Sequence, residues 1–223
     1  MRCNSVAICS RAFARSRRKL SLAIYRYPVK SLRGERLERA QVLTDGLLGD
    51  RTGALLIESG HARVGKAYRG KEDSRLHHYD RPEQARAAAA DDRVKLRLAA
   101  SARYFDDSPI SLILAPWLAD AERICECSLD VCRFRPNLFA DEIIGADDEA
   151  ALLGAVLAIG PDVRLRVTKR IERCVTITYD PDSDAVNPAI LRALAQRRDA
   201  ILGVYCEVLA TGEISAEDTI SRI

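Results

Sequence analysis

Residues 171–181 read Ile171-Glu172-Arg173-Cys174-Val175-Thr176-Ile177-Thr178-Tyr179-Asp180-Pro181. The alternation within them predicts a β-strand that ends in an Asp-Pro turn. In that strand Val175, Ile177 and Tyr179 share one face, and Cys174, Thr176 and Thr178 the other. The apolar face suits a core, and the opposite face presents a thiol beside two hydroxyls. Arg173 adjoins the cysteine, and Lys169 and Arg170 lie just upstream. Nearby positive charge favours the thiolate, which is both the nucleophile and the soft metal ligand. The competing reading is a small buried hydrophobe, the commoner fate of a lone cysteine. The flanking sequence has to decide between the two.

Working outward, Val163 to Ile171 alternates as a further strand. Asn187-Pro188 supplies a cap and a first-turn proline for a helix to about Arg198. A strand from Ile201 to Leu209 follows, with Val204, Cys206 and Val208 on one face and Tyr205 and Glu207 on the other. Thr211-Gly212 then turns into a last strand near Thr219. On the upstream side, Val131 to Ala140 reads as a strand in which Arg133 and Arg135 share a face. Two guanidinium groups so placed either face solvent or clamp an anion. Ile110 to Leu114 reads as a short buried strand, and Pro116 opens a helix to about Ile124 because it cannot sit inside one. Asp147-Asp148-Glu149 forms an acidic start to a short helix.

The first half of the chain is built of short pieces. Ser21 to Tyr27, Leu37 to Leu43, Ala54 to Glu58 and Val94 to Leu98 read as strands, and Pro82 to Ala90 as an Ala-rich helix. Asp45-Gly46 and Gly49-Asp50 mark turns. Short strands at this spacing predict a small barrel or sandwich rather than a βαβ series. The expected class is mixed α/β, predominantly β. Residues 1–19 are a basic arm expected to be disordered, 20–100 a first β subdomain, and 101–223 a second unit packed closely on it.

Three local patterns are tested and set aside. Gly60-His61-Ala62-Arg63-Val64-Gly65-Lys66-Ala67 nearly spells a P-loop, but Ala67 stands where a Mg²⁺-binding hydroxyl is required. The basic loop containing Arg63, Lys66, Arg69 and Lys71 therefore either flanks an anionic ligand or is a solvated face. His77 and His78 would point to opposite faces of a strand and could not share a metal. Cys125, Cys127 and Cys132 are spaced C-x-C-x4-C, unlike the C-x2-C pairs of structural zinc, and packing is the simpler role.

Composition narrows the function classes. A net charge of +3 on 223 residues and an aromatic content of 5% give no footprint for nucleic acid. No apolar run approaches the ~20 residues of a membrane span. Seven cysteines, an odd number in a chain of this size, point to free thiols in a reducing, cytoplasmic compartment. The arm carries Arg2, Arg11, Arg15, Arg17, Arg18 and Lys19 and no acid, which leaves organelle targeting open beside a mobile arm.

Taken in order, these pieces resemble the molybdenum-cofactor sulfurase C-terminal (MOSC) domain family. Tyr27-Pro28-Val29-Lys30-Ser31 with Gly46-Leu47-Leu48-Gly49-Asp50-Arg51 is similar to the family's N-terminal β-barrel subdomain. Asp107-Ser108-Pro109-Ile110, Arg133-Phe134-Arg135-Pro136-Asn137, Glu172-Arg173-Cys174, Gly203-Val204-Tyr205 and Gly212-Glu213-Ile214 resemble the MOSC domain proper. The resemblance implies a MOSC-type β-barrel that binds a molybdopterin-type cofactor, with Cys174 as molybdenum ligand or sulfur carrier. Lys30, Arg51, Arg133 and Arg135 would then hold the pterin phosphate. Ser31, Asp107, Ser108, Asn137 and Tyr205 would hydrogen-bond the pterin rim, with Arg173 and Thr176 beside the thiol. Lys30, Arg51 and Arg135 match the motifs better than Arg133 does.

Three activities fit the resemblance. The first is an oxidoreductase acting on small N-hydroxylated or N-oxide substrates. The second is a sulfur carrier using a Cys174 persulfide, and the third a non-catalytic cofactor-binding module. The region from His61 to Arg75 departs from the substrate-side motif of the family's reductases. With no ferredoxin-like cysteine set, electrons would come from a separate donor protein. A sulfur carrier would instead meet a cysteine desulfurase. No pyridoxal-phosphate site is expected in this chain itself.

Overall fold

The structure is a computed structural model, and it describes residues 22–100 and 102–223. The basic arm assigned to 1–19 lies outside them. In order come β1 (Leu22–Arg26), β2 (Glu35–Leu37), β3 (Arg39–Leu43), β4 (Gly46–Leu47), β5 (Ala54–Ser59), α1 (Pro82–Asp91) and β6 (Lys95–Ala99). The second half adds β7 (Ile110–Leu114), α2 (Ala115–Cys125), β8 (Leu138–Ala140), β9 (Val156–Ile159), β10 (Val163–Glu172), α3 (Pro188–Arg198), β11 (Ile201–Ala210), β12 (Gly212–Ser215) and β13 (Ile220–Arg222).

Eight strands form one sheet in the order β13-β9-β10-β11-β7-β8-β1-β2. Its pairs are antiparallel except β7 with β8, which run parallel. A parallel neighbour requires a crossover, and α2 supplies it. All five residues of β7 are buried, as a central strand covered on both faces requires. The fold is thus mixed α/β and predominantly β, with a small barrel-like N-terminal part and a few short helices.

Two apolar cores result. The larger runs from Leu22, Ile24 and Val42 through β7, Trp117, Leu138 and Leu165 to Val204 and Ile214. The smaller gathers Leu32, Leu55, Ile57, Tyr68, Leu76, Ala85, Ala89, Val94 and Leu96 under α1. The first β subdomain is therefore sewn into the large sheet through β1 and β2, while β5, β6 and α1 form a satellite beside it.

The expected strands at 54–58, 94–98, 110–114, 163–171 and 201–209 are present to within a residue or two, as are the helices opened by Pro82, by Ala115-Pro116 and by Pro188. Asn187 caps the last of these, its Oδ1 accepting from Ala189 N at 3.1 Å. Leu37 to Leu43 is broken at Glu38 into β2 and β3, which join different sheets.

Two expected strands fail over the stretches that bear on the site; of Val131 to Ala140 only β8 is a strand. β10 stops at Glu172, where its pairing with β11 ends opposite Ile201. Residues Val175–Thr178 instead close a short 3-10 helix, with Ile177 N donating to Cys174 O. The alternation of Val, Thr and Ile there reflects β-propensity, which has no force without a partner strand. Likewise Val131–Phe134 is a 3-10 turn capped by Asp130, whose Oδ1 accepts from Cys132 N at 2.7 Å. Such local side-chain caps compete with strand ladders, and Pro136 has no N–H to give one. Arg135 follows in the left-handed region at φ 53. Arg133 and Arg135 are therefore not alternate residues of one strand face.

Glu149, read as part of an acidic helix start, is buried and grips Arg198 through both carboxylate oxygens at 2.6 and 2.8 Å. The same carboxylate accepts from Gly203 N at 3.0 Å. Removing one partner of a buried pair leaves the other charge uncompensated. Glu149→Ala should lower unfolding stability by about 3 kcal/mol, read as a fall in the urea midpoint at unchanged slope.

Candidate functional site

The site is built up from a buried carboxylate. Asp50 is 3% exposed; its Oδ1 accepts from Tyr27 N at 2.8 Å and its Oδ2 from Arg51 Nη1 at 2.6 Å. Arg51 also donates to Asn137 Oδ1 at 3.3 Å and to the Arg135 carbonyl at 3.2 Å. Burial alone would lower the Arg51 pKa, but Asp50, Tyr27 and Asp106 together outweigh it and the net shift is upward. Asn137 is itself buried, and its Oδ1 accepts from both Ser111 N and Ser111 Oγ. These contacts fasten the end of β1, the 49–53 turn, the start of β7 and the approach to β8 at one point.

Around that point lies a cavity of about 210 Å³. Two guanidinium groups dominate its wall. Arg135 lies 4.2 Å from the Tyr27 ring centre. Arg173 donates to the Leu202 and Phe134 carbonyls at 2.7 and 2.8 Å. In each, Nη2 is buried and has no hydrogen-bond partner among the described residues. Burial pushes the pKa of each down to about 10, so both stay cationic at neutral pH. Two desolvated cations with open donors form a site for an anion. Gly203 makes room for one of them. At its φ of +90° a side chain would be strained, and an added Cβ would lie 3.0 Å from Arg173 Nη2.

Cys174 stands on the same wall as the residue capping the 3-10 helix that replaces the expected strand. Its thiol is partly buried and 3.2 Å from Thr176 Oγ1. Arg133 binds the carbonyls of Ile177 and Tyr179 and pairs with Asp180 at 2.9 Å. Of its guanidinium nitrogens only Nε is left without a partner.

Eleven of the twelve residues singled out from sequence meet here: Lys30, Ser31, Arg51, Ser108, Arg133, Arg135, Asn137, Arg173, Cys174, Thr176 and Tyr205 all line the cavity. Asp107 does not. It pairs with Lys169 on the surface, and its neighbour Asp106 takes the place on the wall, paired with Lys30. Burial would raise the Asp106 pKa, but Lys30 and the two arginines 51 and 135 lower it on balance.

Several wall residues were missed. Arg69 and Lys71 come from the loop read as either an anion flank or a solvated face, and they line the cavity, whereas Arg63 and Lys66 do not. No helix starts at Gly60–Ala67. Phe105 and Ser111 carry no pattern that singles them out, and His77 is weighed in the sequence only as a metal ligand. His77 sits on a 3-10 helix (Ser74–His78), not a strand, 5.6 Å from the Tyr179 ring. Its ring is buried, with the Ser31 backbone beside it. Burial, then the charge of Arg135, push its pKa down to about 3. Cys125 and Cys127 pack against the larger core. No group of three or more His, Cys, Asp or Glu converges on a metal position among the described residues. None of the helices described is long and apolar enough to cross a membrane.

Comparison with known families agrees with this architecture. The MOSC domain matches residues 99–221, and the MOSC N-terminal beta barrel domain matches residues 21–104. The chain belongs to the MOSC domain family. Among solved structures, the YUAD protein from Bacillus subtilis superposes with a TM-score of 0.54 at 15% identity, covering 89% of this chain and 94% of its own. YiiM from Escherichia coli gives 0.47 at 13% identity, covering 91% of this chain and 68% of its own. The first likeness is one of fold. Comparison with curated proteins gave no match.

His77 offers a test of the wall. Its folded pKa lies below the unfolded value of 6.5, so the unfolded chain binds the extra proton as pH falls and stability drops with it. Between pH 6.5 and 5 this amounts to roughly 2 kcal/mol. Urea unfolding at those two pH values should show the loss, and His77→Gln should remove most of it.

Proposed function

We propose that this protein binds a molybdenum cofactor of the molybdopterin type and reduces small N-hydroxylated or N-oxide substrates at a metal held by Cys174. One observation carries the reading. A partly buried thiol shares a cavity with two cationic, open guanidinium edges, Arg135 and Arg173, and so fits a ligand that is at once thiophilic and anionic. A molybdenum atom here would find one protein thiolate and bring its remaining donors with the pterin dithiolene. Arg135 and Arg173, with Lys30, Arg51 and Arg69 near by, would hold the anionic part of the cofactor. Ser31, Ser108 and Tyr205 offer hydroxyls to its rim. Asn137 and most of Arg133 serve the protein itself, and their part is to position the others.

When bound, the cofactor supplies the two-electron redox chemistry. The chain's own contribution is to fix the thiol, balance the charge of the ligand and keep that wall dry. The reaction consumes two electrons and two protons: the N–O bond breaks, the amine or amidine leaves reduced, and oxygen leaves as water. The electrons come from a separate donor protein.

A second reading, sulfur transfer through a Cys174 persulfide, draws on one feature. Among the described residues no other cysteine lines this cavity, so a persulfide formed there has no neighbouring thiol to resolve it as a disulfide. A cysteine desulfurase would be the partner in that case.

Metal analysis of protein purified from a cofactor-competent host separates the readings. Near-stoichiometric molybdenum that is lost in a folded Cys174→Ser variant, together with N-reductase activity, is the expected outcome. A gain of one sulfur on Cys174 after incubation with a desulfurase and cysteine, with no bound molybdenum, would establish the carrier instead. Full reductase activity in Cys174→Ser would overturn the primary reading.

A further inference from the structure

A second cavity, of about 260 Å³, adjoins the first. Arg133, Arg135, His77 and Thr176 form a wall common to both. Tyr25, Tyr27 and Tyr179 line the second cavity and not the first, so its aromatic surface is made of tyrosines alone beside His77. Gly34 opens it: an added Cβ there would fall 2.3 Å from Tyr27 Cε1.

The polar groups of this cavity are unevenly spent. Its carboxylates are engaged. Glu35 pairs with Arg26 at 2.8 Å and Asp182 with Arg33 at 2.6 Å, while Asp130 caps the turn through Cys132 N. Two cations are not engaged by carboxylates. Arg135 has only the Tyr27 ring beneath it and an open Nη2, and Arg36 makes no ion pair among the described residues. Tyr27 is 2% exposed, and among the described residues its hydroxyl is buried without a partner. Cys132 lines the same space as a neutral thiol, since burial and then Asp130 push its pKa up to about 12.

We propose that this second cavity is a binding site for a small planar aromatic anion, distinct from the ligand of the Cys174 cavity. Tyrosine rings accept a flat aromatic body. The unpaired Arg36 and the Tyr27 hydroxyl, which the first cavity does not use, receive an anionic oxygen, and the Arg135 guanidinium on the shared wall adds its charge. A cation is disfavoured because the carboxylates already have partners. The volume falls below the ~300 Å³ at which drug-sized pockets begin, which limits the ligand to one or two rings. The inference does not rest on the cofactor reading and holds or fails without it.

The test is a ¹⁹F NMR titration of the full chain with 4-fluorobenzoate, beside 4-fluorobenzylamine as the cationic counterpart. Saturable binding of the benzoate alone is expected. Arg36→Glu, at an exposed position of β2, should weaken it about tenfold, and Tyr27→Phe should also weaken it. Lys30→Glu, which touches only the first cavity, should weaken it less than either. Thermal melts confirm that each variant is folded. Absence of saturable binding at millimolar probe overturns the proposal, as does equal binding of the amine. A benzoate affinity that responds to Lys30→Glu more than to Arg36→Glu and Tyr27→Phe places the probe in the first cavity and overturns it too.

Discussion

The Asp50 carboxylate is the interaction on which the rest of the site depends. It holds the backbone of Tyr27 with one oxygen and the guanidinium of Arg51 with the other. Arg51 in turn holds the carbonyl of Arg135, whose guanidinium lies over the Tyr27 ring. The circuit therefore closes on itself: Tyr27, Asp50, Arg51, Arg135 and back to Tyr27. Each member fixes the next, and Arg135 is held in a left-handed conformation that an isolated residue would rarely adopt. A site with donors aimed in advance loses little freedom when its ligand arrives.

Charge is distributed to the same end. Arg51 has a carboxylate partner and Arg133 has another. Among the described residues Arg135 and Arg173 have none, and burial weakens their hold on the proton without removing it. The neutral groups stay neutral beside them: His77 is pushed far below physiological pH, and Tyr27 and Cys132 well above it. The cavity walls therefore keep an uncompensated positive charge across the working pH range. Such a surplus in a low-dielectric cleft is costly unless an anion accompanies it.

Most of this was legible in the sequence because the site is carried by short motifs whose chemistry survives errors in secondary structure. Lys30-Ser31, Arg135-x-Asn137 and Arg173-Cys174 stand out as pairs and Arg51 alone, whereas Asp50 reads only as part of a turn because nothing in its neighbours shows that its carboxylate is buried. The errors arose where a local bond outcompeted a strand ladder. Asp130 turned 131–134 into a 3-10 helix, and the end of β11 pairing released 173–178 from the sheet. Asp106 was passed over for Asp107 because adjacent residues on an irregular segment carry no periodicity to separate them. The place of His77 on the wall is hidden for another reason: it depends on burial between two cavities, and burial of one polar residue leaves no trace in its neighbours' pattern.

The two segments that failed to become strands complete one another. A strand would have satisfied their backbone through a ladder, and without it each carbonyl needs another donor. Arg133, on the 131–134 turn, gives its guanidinium to the carbonyls of Ile177 and Tyr179, which lie in the segment after Cys174. Arg173 returns the exchange by donating to the carbonyl of Phe134. Arginine suits this because its planar fork can meet two acceptors at once and still present a third edge. The division of labour among the arginines follows. Arg133 spends nearly all its donors on the backbone and is chiefly structural, while Arg173 spends two nitrogens and keeps Nη2 open at the cavity. The same exchange sets the thiol in place, since Cys174 lies between Arg173 and the turn that Arg133 grips. A regular strand would have spread its residues over two faces. The clamped turn instead brings a thiol, a hydroxyl and an open guanidinium edge to one wall.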